Sequence, residues 1–180
     1  MSLSLRLRLA GSAPLLACLA ACSPTFNWRE VPIGDDGLVA LLPCKADRAT
    51  RALSFGGESV TVDMAGCDAG GGTFAVAHAS AGSTSQAEAW MRAWRASTGA
   101  QLAGRKLVGS PASLPRAAAS PAPERLDAQD EAAAGAGSQV HVVWFAQERI
   151  GKVALYQATI VGKSPAPEAI TTFFEGLRLP

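Results

Sequence analysis

The stretch QVHVVWFAQERIGKVALYQATIV, residues 139–161, decides the fold that we predict for this chain. Its two parts, residues 139–147 and 152–161, carry apolar side chains at both odd and even positions, so a strand formed by either part is apolar on both faces. The short connection between them favours an antiparallel hairpin. Strands that are apolar on both faces lie in the centre of a sheet that is covered on both sides. The stretch therefore predicts a central hairpin with other elements packed across it.

Further strands are expected around this hairpin. Residues 48–55 and 58–65 flank the pair Gly56-Gly57, which is typical of a two-residue hairpin turn. The alternation of Phe26 and Trp28 favours a first strand with one buried face over an aromatic contact with lipid headgroups. The remaining strands are predicted at residues 26–31, 37–42, 73–79, 107–108 and 124–131, the last of them at an edge of the sheet.

Two groups of acidic residues are interpreted as structural. Asp35 and Asp36 lie between two glycines, and turn chemistry explains this pair better than a carboxylate dyad does. The acids of the predicted edge strand are interpreted as a solvated face: Asp127, Asp130 and Glu131. Neither group predicts a catalytic site.

Two helices are predicted from capping and spacing. The first helix is predicted to begin at Ser83-Thr84-Ser85, where Ser85 and Glu88 have the spacing of a capping box. The apolar side chains that follow at helical spacing are Ala87, Trp90, Met91, Trp94 and Leu102. The second helix is expected to begin at Ser164-Pro165, with Ser164 as its cap, and to end at Gly176. Its buried face consists of Ile170, Phe173, Phe174 and Leu177.

Trp90 and Trp94 form the possible ligand face of the chain. Two tryptophans one helical turn apart could stack a ligand such as a sugar. A stripe of this kind more often packs against a sheet, so we favour a core role for both residues.

The remaining segments are predicted to be turns and loops. The glycines of residues 70–72 lack the Lys-Ser/Thr pair of a phosphate-binding loop and are interpreted as a turn. Residues 111–123 are rich in Ala, Pro and Ser and are expected to form an exposed loop, and residues 132–138 a second loop. A strand block, a helix, a second strand block and a terminal helix predict an α+β fold, with a mostly antiparallel sheet and helices packed across it.

The N-terminus has the pattern of an export signal. Arg6 and Arg8 precede an apolar segment, residues 9–21, that is too short and too interrupted for a membrane span of roughly 20 apolar residues. A charged start followed by a short apolar segment is typical of a secretory signal. The Ala-x-Ala site of an ordinary signal peptide is absent between Ser12 and Cys22.

The end of this segment, Leu19-Ala20-Ala21-Cys22, resembles the bacterial lipobox. The resemblance implies that residues 1–21 are a signal peptide and that Cys22 begins the mature chain, carrying acyl chains such as palmitate. Residues 22–180 would then form a single domain that faces the periplasm from a membrane anchor. Ser23, in place of Asp, implies the outer rather than the inner membrane. A competing site ending at Cys18 fits less well because Leu16 is bulky, and a secreted protein or an uncleaved anchor remain alternatives.

Cys44 and Cys67 are the two cysteines left once Cys18 is removed and Cys22 is acylated. An even pair outside the cytoplasm predicts a disulfide. Closing this loop contributes about 3 kcal/mol on the chain-entropy model. A metal site would need more ligands than two distant cysteines and two histidines, and a Cys-x-x-Cys motif is absent, so no metal and no cofactor are predicted.

The net charge and the absence of catalytic motifs limit the classes of function that we expect for this chain. The formal net charge of +1 changes to about −1 when Arg6 and Arg8 are removed, which gives no electrostatic basis for binding nucleic acid or acidic lipid headgroups. A hydrolase would have to use His78 or His141 as its base, since these are the only histidines. Both lie in strand patterns, where a hydrogen-bonded structural histidine is more common, and neither Gly-x-Ser-x-Gly nor His-Glu-x-x-His occurs. No catalytic residue is therefore predicted.

The long antiparallel strands followed by Phe-Phe-Glu-Gly-Leu-Arg-Leu, residues 173–179, resemble the PsbP/Mog-like α/β/α sandwich of many small bacterial lipoproteins. Residues 26–30 and 41–45 also look like an uncharacterised proteobacterial lipoprotein group. The resemblance implies an accessory or binding role without catalysis. We therefore expect a lipid-anchored envelope protein with an unknown envelope protein partner. The alternatives are a lipoprotein that binds a glycan or lipid, and an envelope hydrolase.

Overall fold

A computed structural model describes residues 25–130 and 137–180. Within these ranges the chain forms nine strands and two helices. In chain order they are β1 (Arg29–Ile33), β2 (Leu38–Leu42), β3 (Asp47–Phe55), β4 (Glu58–Ala69), β5 (Gly72–Ala81), α1 (Thr84–Gln101), β6 (Lys106–Pro111), β7 (Glu124–Gln129), β8 (Gln139–Arg149), β9 (Lys152–Gly162) and α2 (Pro167–Glu175).

Seven strands form one antiparallel sheet in the order β3-β4-β5-β9-β8-β7-β6. β8 and β9 lie near its middle and pair along their whole length, from Gln139 opposite Gly162 to Arg149 opposite Lys152. This confirms the central hairpin predicted from residues 139–161. The fold is α+β, as predicted, with a mainly antiparallel sheet and two helices.

Layers cover both faces of the sheet, which is why the central strands are apolar on both sides. α1 packs on one face over side chains such as Trp144 and Leu155. The small β1–β2 sheet and α2 pack on the other face over Phe145 and Tyr156. Side chains of successive residues point to opposite faces of a strand, so Trp144 and Phe145 pack against different layers.

The strand order corrects one prediction. Residues 124–129 form β7, which pairs with both β6 and β8 and is therefore not an edge strand. The edge is β6, which extends to Pro111 where only residues 107–108 were expected to be extended. All six residues of β6 are exposed, and only Leu107 and Val108 resemble a strand, so the local pattern gives no signal for the rest of its pairing with β7.

The first helix begins within residues 83–85, as predicted, but with a different cap, whereas the predicted start of the second helix is wrong by a few residues. The cap of α1 is Ser83, whose hydroxyl accepts from the Gln86 backbone N–H at 3.2 Å. The Gln86 side chain accepts in turn from the Gly82 N–H at 2.8 Å, so the Ser85–Glu88 pair has no capping role. α2 begins only at Pro167 after Ala166, because Ser164 has a φ of 59° and cannot join a helix. The predicted end at Gly176 is confirmed.

The segment at residues 111–123 is more tightly packed than an exposed loop. Ala118 is buried, and its backbone N–H donates to the Ala146 carbonyl at 2.7 Å. Arg95 of α1 donates to the Ala122 carbonyl, also at 2.7 Å. The segment is fixed because its backbone groups find partners on the sheet and on α1. The predicted loop at residues 132–138 lies largely outside the described residues.

Candidate functional site

A polar cluster around a buried carboxylate lies where the β1–β2 turn meets the large sheet. We call it the Asp36 cluster, and its members are Asp36, His78, Ser80 and Lys152. Asp36 is only 2% exposed and His78 only 5%. One Asp36 carboxylate oxygen accepts from His78 Nε2 at 2.8 Å and from the Ser80 hydroxyl at 2.6 Å, and the other lies 2.5 Å from Lys152 Nζ. Asp36 lies in the predicted turn, but turn chemistry alone does not explain a carboxylate bound by three side chains.

Three separate elements bring these side chains together. His78 and Ser80 are two residues apart on β5, so they point to the same face of the sheet. Lys152 begins β9, the neighbouring strand. The β1–β2 turn approaches this face closely enough that a Cβ on Gly34 would lie 2.1 Å from His78 Nδ1. Gly34 also has a φ of +58°, so glycine is required there for both space and backbone conformation.

The cluster keeps a negative charge on Asp36. Burial alone would raise the pKa of its carboxyl group, but hydrogen bonds from Lys152, Ser80 and His78 lower that pKa to about 2. Tyr156 lies beside the cluster, with its ring 5.1 Å from the His78 ring. Burial and the nearby charge of Asp36 raise the pKa of the Tyr156 hydroxyl, which therefore stays neutral.

The cluster differs from a nucleophilic triad in its geometry. In a triad the histidine binds the nucleophile through one ring nitrogen and the carboxylate through the other. Here the Ser80 hydroxyl, at 3.4 Å, and Asp36 both lie at His78 Nε2, while Nδ1 is buried without a hydrogen-bond partner. Because a carboxylate only accepts, Nε2 carries the proton and cannot take one from Ser80. The hydrogen bonds join three elements and do not activate Ser80.

A cleft of about 360 Å³ opens beside the cluster. Polar side chains and one tryptophan line it, among them Asp35, Asp63, His78, Ser80, Trp90 and Lys152. A second, wider depression lies on the other side of Asp35 and includes the β8–β9 turn at Ile150. This end of the molecule therefore carries two polar depressions beside the buried carboxylate of Asp36.

The second histidine, His141, also has a carboxylate partner. Its Nδ1 lies 2.6 Å from Asp127, which pairs with it across β7 and β8. Arg125 donates to both Asp127 oxygens, at 3.0 and 2.9 Å, and its guanidinium lies 5.1 Å from the centre of the Phe174 ring. These contacts lower the pKa of the Asp127 carboxyl group against the opposing effect of burial.

The prediction that the acids near β7 form a solvated face is wrong for two of them. Asp127 is bound by His141 and Arg125, as above. Asp130 pairs with Arg105 at 3.1 Å and accepts from the Ser138 backbone N–H at 2.8 Å. Glu131 lies outside the described residues.

The two tryptophans of α1 face the core. Trp94 stacks on Phe55 with ring centroids 5.0 Å apart, so a ligand cannot reach its ring face there. Trp90 is also buried, its indole N–H donates to Glu58 at 3.2 Å, and it reaches only the margin of the cleft. The stripe packs against the sheet, and a ligand face made of both tryptophans is not present.

Cys44 and Cys67 form a disulfide with a Cα–Cα distance of 5.9 Å, as predicted. Cys67 lies within β4, which extends to Ala69. Cys22 and the predicted signal peptide lie outside the described residues. Among residues 25–130 and 137–180, no group of three or more potential ligand side chains could hold a metal ion. No helix in these ranges is long and apolar enough to cross a membrane.

Sequence reasoning identified His78 and His141 but missed Asp36. Asp36 is separated from His78 by 42 positions and reaches it only when the β1–β2 layer folds onto the sheet. The one available signal was that the β1–β2 turn contains two adjacent aspartates, whereas turn chemistry requires only one. That signal specifies no partner.

Comparisons with known proteins give little beyond these observations. No protein-family model matches the chain, and no match was found among curated proteins. Among solved structures the chain is similar to LpqN, described as involved in cell envelope biogenesis of Mycobacterium tuberculosis. The TM-score is 0.38 and the identity 13%, over 84% of this chain and 85% of that one. A likeness of this size carries no argument about function.

Proposed function

We propose that the mature chain is a lipid-anchored envelope protein without catalytic activity, which acts as an accessory or binding module for another envelope protein. In this proposal Cys22 carries the acyl chains, residues 1–21 are removed, and the domain faces the periplasm from the outer membrane. The PsbP/Mog-like α/β/α sandwich belongs to the same proposal. It is supported by a seven-stranded sheet with covering layers on both faces.

The observation that carries the proposal is the Cys44–Cys67 disulfide. Disulfides persist in oxidising compartments, such as the bacterial periplasm, and are rare in the cytosol. The pair lies downstream of a segment with the pattern of an export signal and a lipobox. The disulfide and the export pattern therefore support the same compartment from independent residues.

The surroundings of both histidines support a role without catalysis. His78 shares one nitrogen with Asp36 and Ser80, and its other nitrogen is buried against Gly34. His141 is held by Asp127, and its Nε2 is buried without a partner. Neither imidazole has a free nitrogen directed at an exposed nucleophile, which an envelope hydrolase would need.

A small-ligand carrier is the second candidate, and the cleft beside the Asp36 cluster favours it. Hydroxyl, carboxylate and ammonium groups surround the cleft, and such groups suit a polar ligand such as a glycan. Titration with soluble glycans, followed by tryptophan fluorescence, tests this candidate through Trp90. If the glycans change the fluorescence spectrum of neither the native chain nor the Trp90→Phe variant, the carrier function is excluded for those glycans.

Mass spectrometry of protein isolated from the envelope tests the main proposal. We expect a chain that begins at Cys22, carries a diacylglyceryl group, and contains no free thiol at Cys44 or Cys67. Cys22→Ala should move the protein out of the membrane fraction, whereas the matched variant Cys18→Ala should leave it there. An unmodified N-terminus, or release by Cys18→Ala alone, would contradict the proposal.

A further inference from the structure

The described chain enters the fold at one end of the large sheet, against the β4–β5 turn. The Phe26 ring covers Gly70 so closely that a Cβ there would lie 2.4 Å from it. The Asn27 backbone N–H donates to the Pro43 carbonyl at 2.7 Å, and Phe26 stacks on Trp28 with centroids 5.8 Å apart. These contacts fix the entry point. We call this end of the sheet the Gly70 end.

The Asp36 cluster lies at the opposite end. β5 and β9 pair from Gly72 opposite Gly162 to Ala81 opposite Val153, so both strands run the length of the sheet. Ten residues of strand span about 33 Å. The fully exposed Ile150, in the β8–β9 turn, marks this far end, which we call the Ile150 end.

The tether between the proposed anchor and the fold is too short to reach the Ile150 end. Cys22 and Phe26 are four positions apart, so their Cα atoms are separated by at most about 14 Å. The acyl chains on Cys22 must lie in the bilayer. The Gly70 end is therefore held next to the headgroups, whatever the tether's conformation.

The exposed groups of the Gly70 end suit a phospholipid surface. Lys45 follows the disulfide-bonded Cys44, Lys163 follows Gly162 at the end of β9, and both lysines are exposed. Val161 is 40% exposed beside them. Two acids, Asp47 and Asp68, are also exposed at this end, and Asp68 accepts from the Thr73 hydroxyl at 2.6 Å. Lysine and tryptophan are residues that commonly lie at headgroup level.

We propose that the Gly70 end is a docking surface for phospholipid headgroups, and that the Ile150 end, with its cleft, is directed away from the membrane. This inference rests on the proposed lipid anchor. It assigns the two ends different partners, since the Ile150 end remains free to meet another protein or a ligand. The cleft beside Asp36 then lies about 30 Å from the bilayer surface.

Fluorescence quenching in vesicles tests the orientation. Lys163→Cys and Ile150→Cys are each labelled with the same fluorophore in the full acylated protein, without reducing the disulfide. The proteins are placed in phosphatidylethanolamine–phosphatidylglycerol vesicles that contain a lipid with a nitroxide on its headgroup. We expect severalfold stronger quenching at position 163 than at position 150. Equal quenching, or stronger quenching at position 150, would overturn the orientation.

The mass of the same preparations separates the two proposals. An acylated chain with equal quenching at both positions contradicts only the orientation and leaves the lipid anchor intact. A chain without acyl groups contradicts the anchor, and the orientation fails with it because no tether remains. A label at position 163 that is quenched by soluble nitroxide but not by the lipid nitroxide would mean that the Gly70 end faces water and not lipid, which overturns the docking surface.

Discussion

The two histidine–aspartate pairs of this protein have similar distances but different structural roles. His78 and Asp36 are 2.8 Å apart and nearly inaccessible, whereas His141 and Asp127 are 2.6 Å apart with side chains 14% and 36% exposed. Asp127 is directly opposite His141 on the next strand, so their contact is an ordinary cross-strand pair. Asp36 belongs to another layer. The buried pair therefore connects the β1–β2 layer to the large sheet, whereas the half-exposed pair lies within the large sheet.

The largest difference between the pairs should follow from removal of Asp36. Asp36→Ala leaves the buried His78 donor without an acceptor, and it removes the partner of the more exposed Ser80 hydroxyl and the counter-charge of Lys152. Removing one partner of a buried pair costs about 4 kcal/mol in unfolding free energy. Urea unfolding of the chain from residue 23, followed by tryptophan fluorescence, measures the change.

Asp35 provides the matched control for that experiment. It is the neighbouring carboxylate in the same turn, but it is exposed. Asp35→Ala should change the unfolding free energy by less than about 0.5 kcal/mol. Similar losses in the two variants would mean that the turn itself, and not the Asp36 cluster, provides the stability.

A second way to break the buried pair is to add a methyl group at Gly34. The Cβ of Gly34→Ala would lie 2.1 Å from His78 Nδ1, so the turn must lift or the ring must leave Asp36. We expect a loss of about 3 kcal/mol, from this overpacking and from the φ of +58°. Gly71→Ala is the control, since its φ is +76° but no atom lies within 4 Å of the added Cβ. That variant should lose only about 1 kcal/mol, from backbone strain.

Acid titration should reveal a smaller loss of unfolding free energy, which comes from protonation of Asp36. The pKa of Asp36 is about 2 in the folded chain, against an ordinary value of 3.8. A carboxyl group with a lowered folded pKa stabilises the fold above its unfolded pKa, and this contribution is lost as the pH falls through the folded pKa. About 2 kcal/mol should therefore disappear between pH 4 and pH 2. The difference in unfolding free energy between the native chain and Asp36→Asn should shrink over this range. A constant difference would contradict the lowered pKa.

The elements predicted from the sequence are those whose signals are local. The double-faced apolar pattern of residues 139–161 specified the central hairpin, and Gly56-Gly57 specified the turn between β3 and β4. The start of α2 was misplaced because Ser164 and Pro165 look like a cap and a first turn. The actual backbone at Ser164, with φ of 59°, depends on how β9 ends.

The site was predicted less well because its members come from different layers. His78 and Ser80 are two positions apart on one strand, but Asp36 and Lys152 reach them only through tertiary packing. Cross-strand neighbours such as Asp127 and His141 were equally hard to pair, since the register of β7 against β8 is not visible in either strand alone. Burial then decides which pair contributes more to stability, and burial depends on the layer that covers each face of the sheet.

The smallest effect is expected from the half-exposed pair. Asp127→Asn keeps an oxygen that can accept from His141 and removes only the charge facing Arg125. The Arg125 guanidinium keeps its position over Phe174, and a partly exposed ion pair contributes about 0.2–1 kcal/mol. We therefore expect a loss below about 1 kcal/mol in urea unfolding, well under that of Asp36→Asn measured in the same way. Equal losses of unfolding free energy in the two variants would mean that the Asp36 carboxylate stabilises the fold no more than the cross-strand pair does. The distinction between the two pairs would then fail.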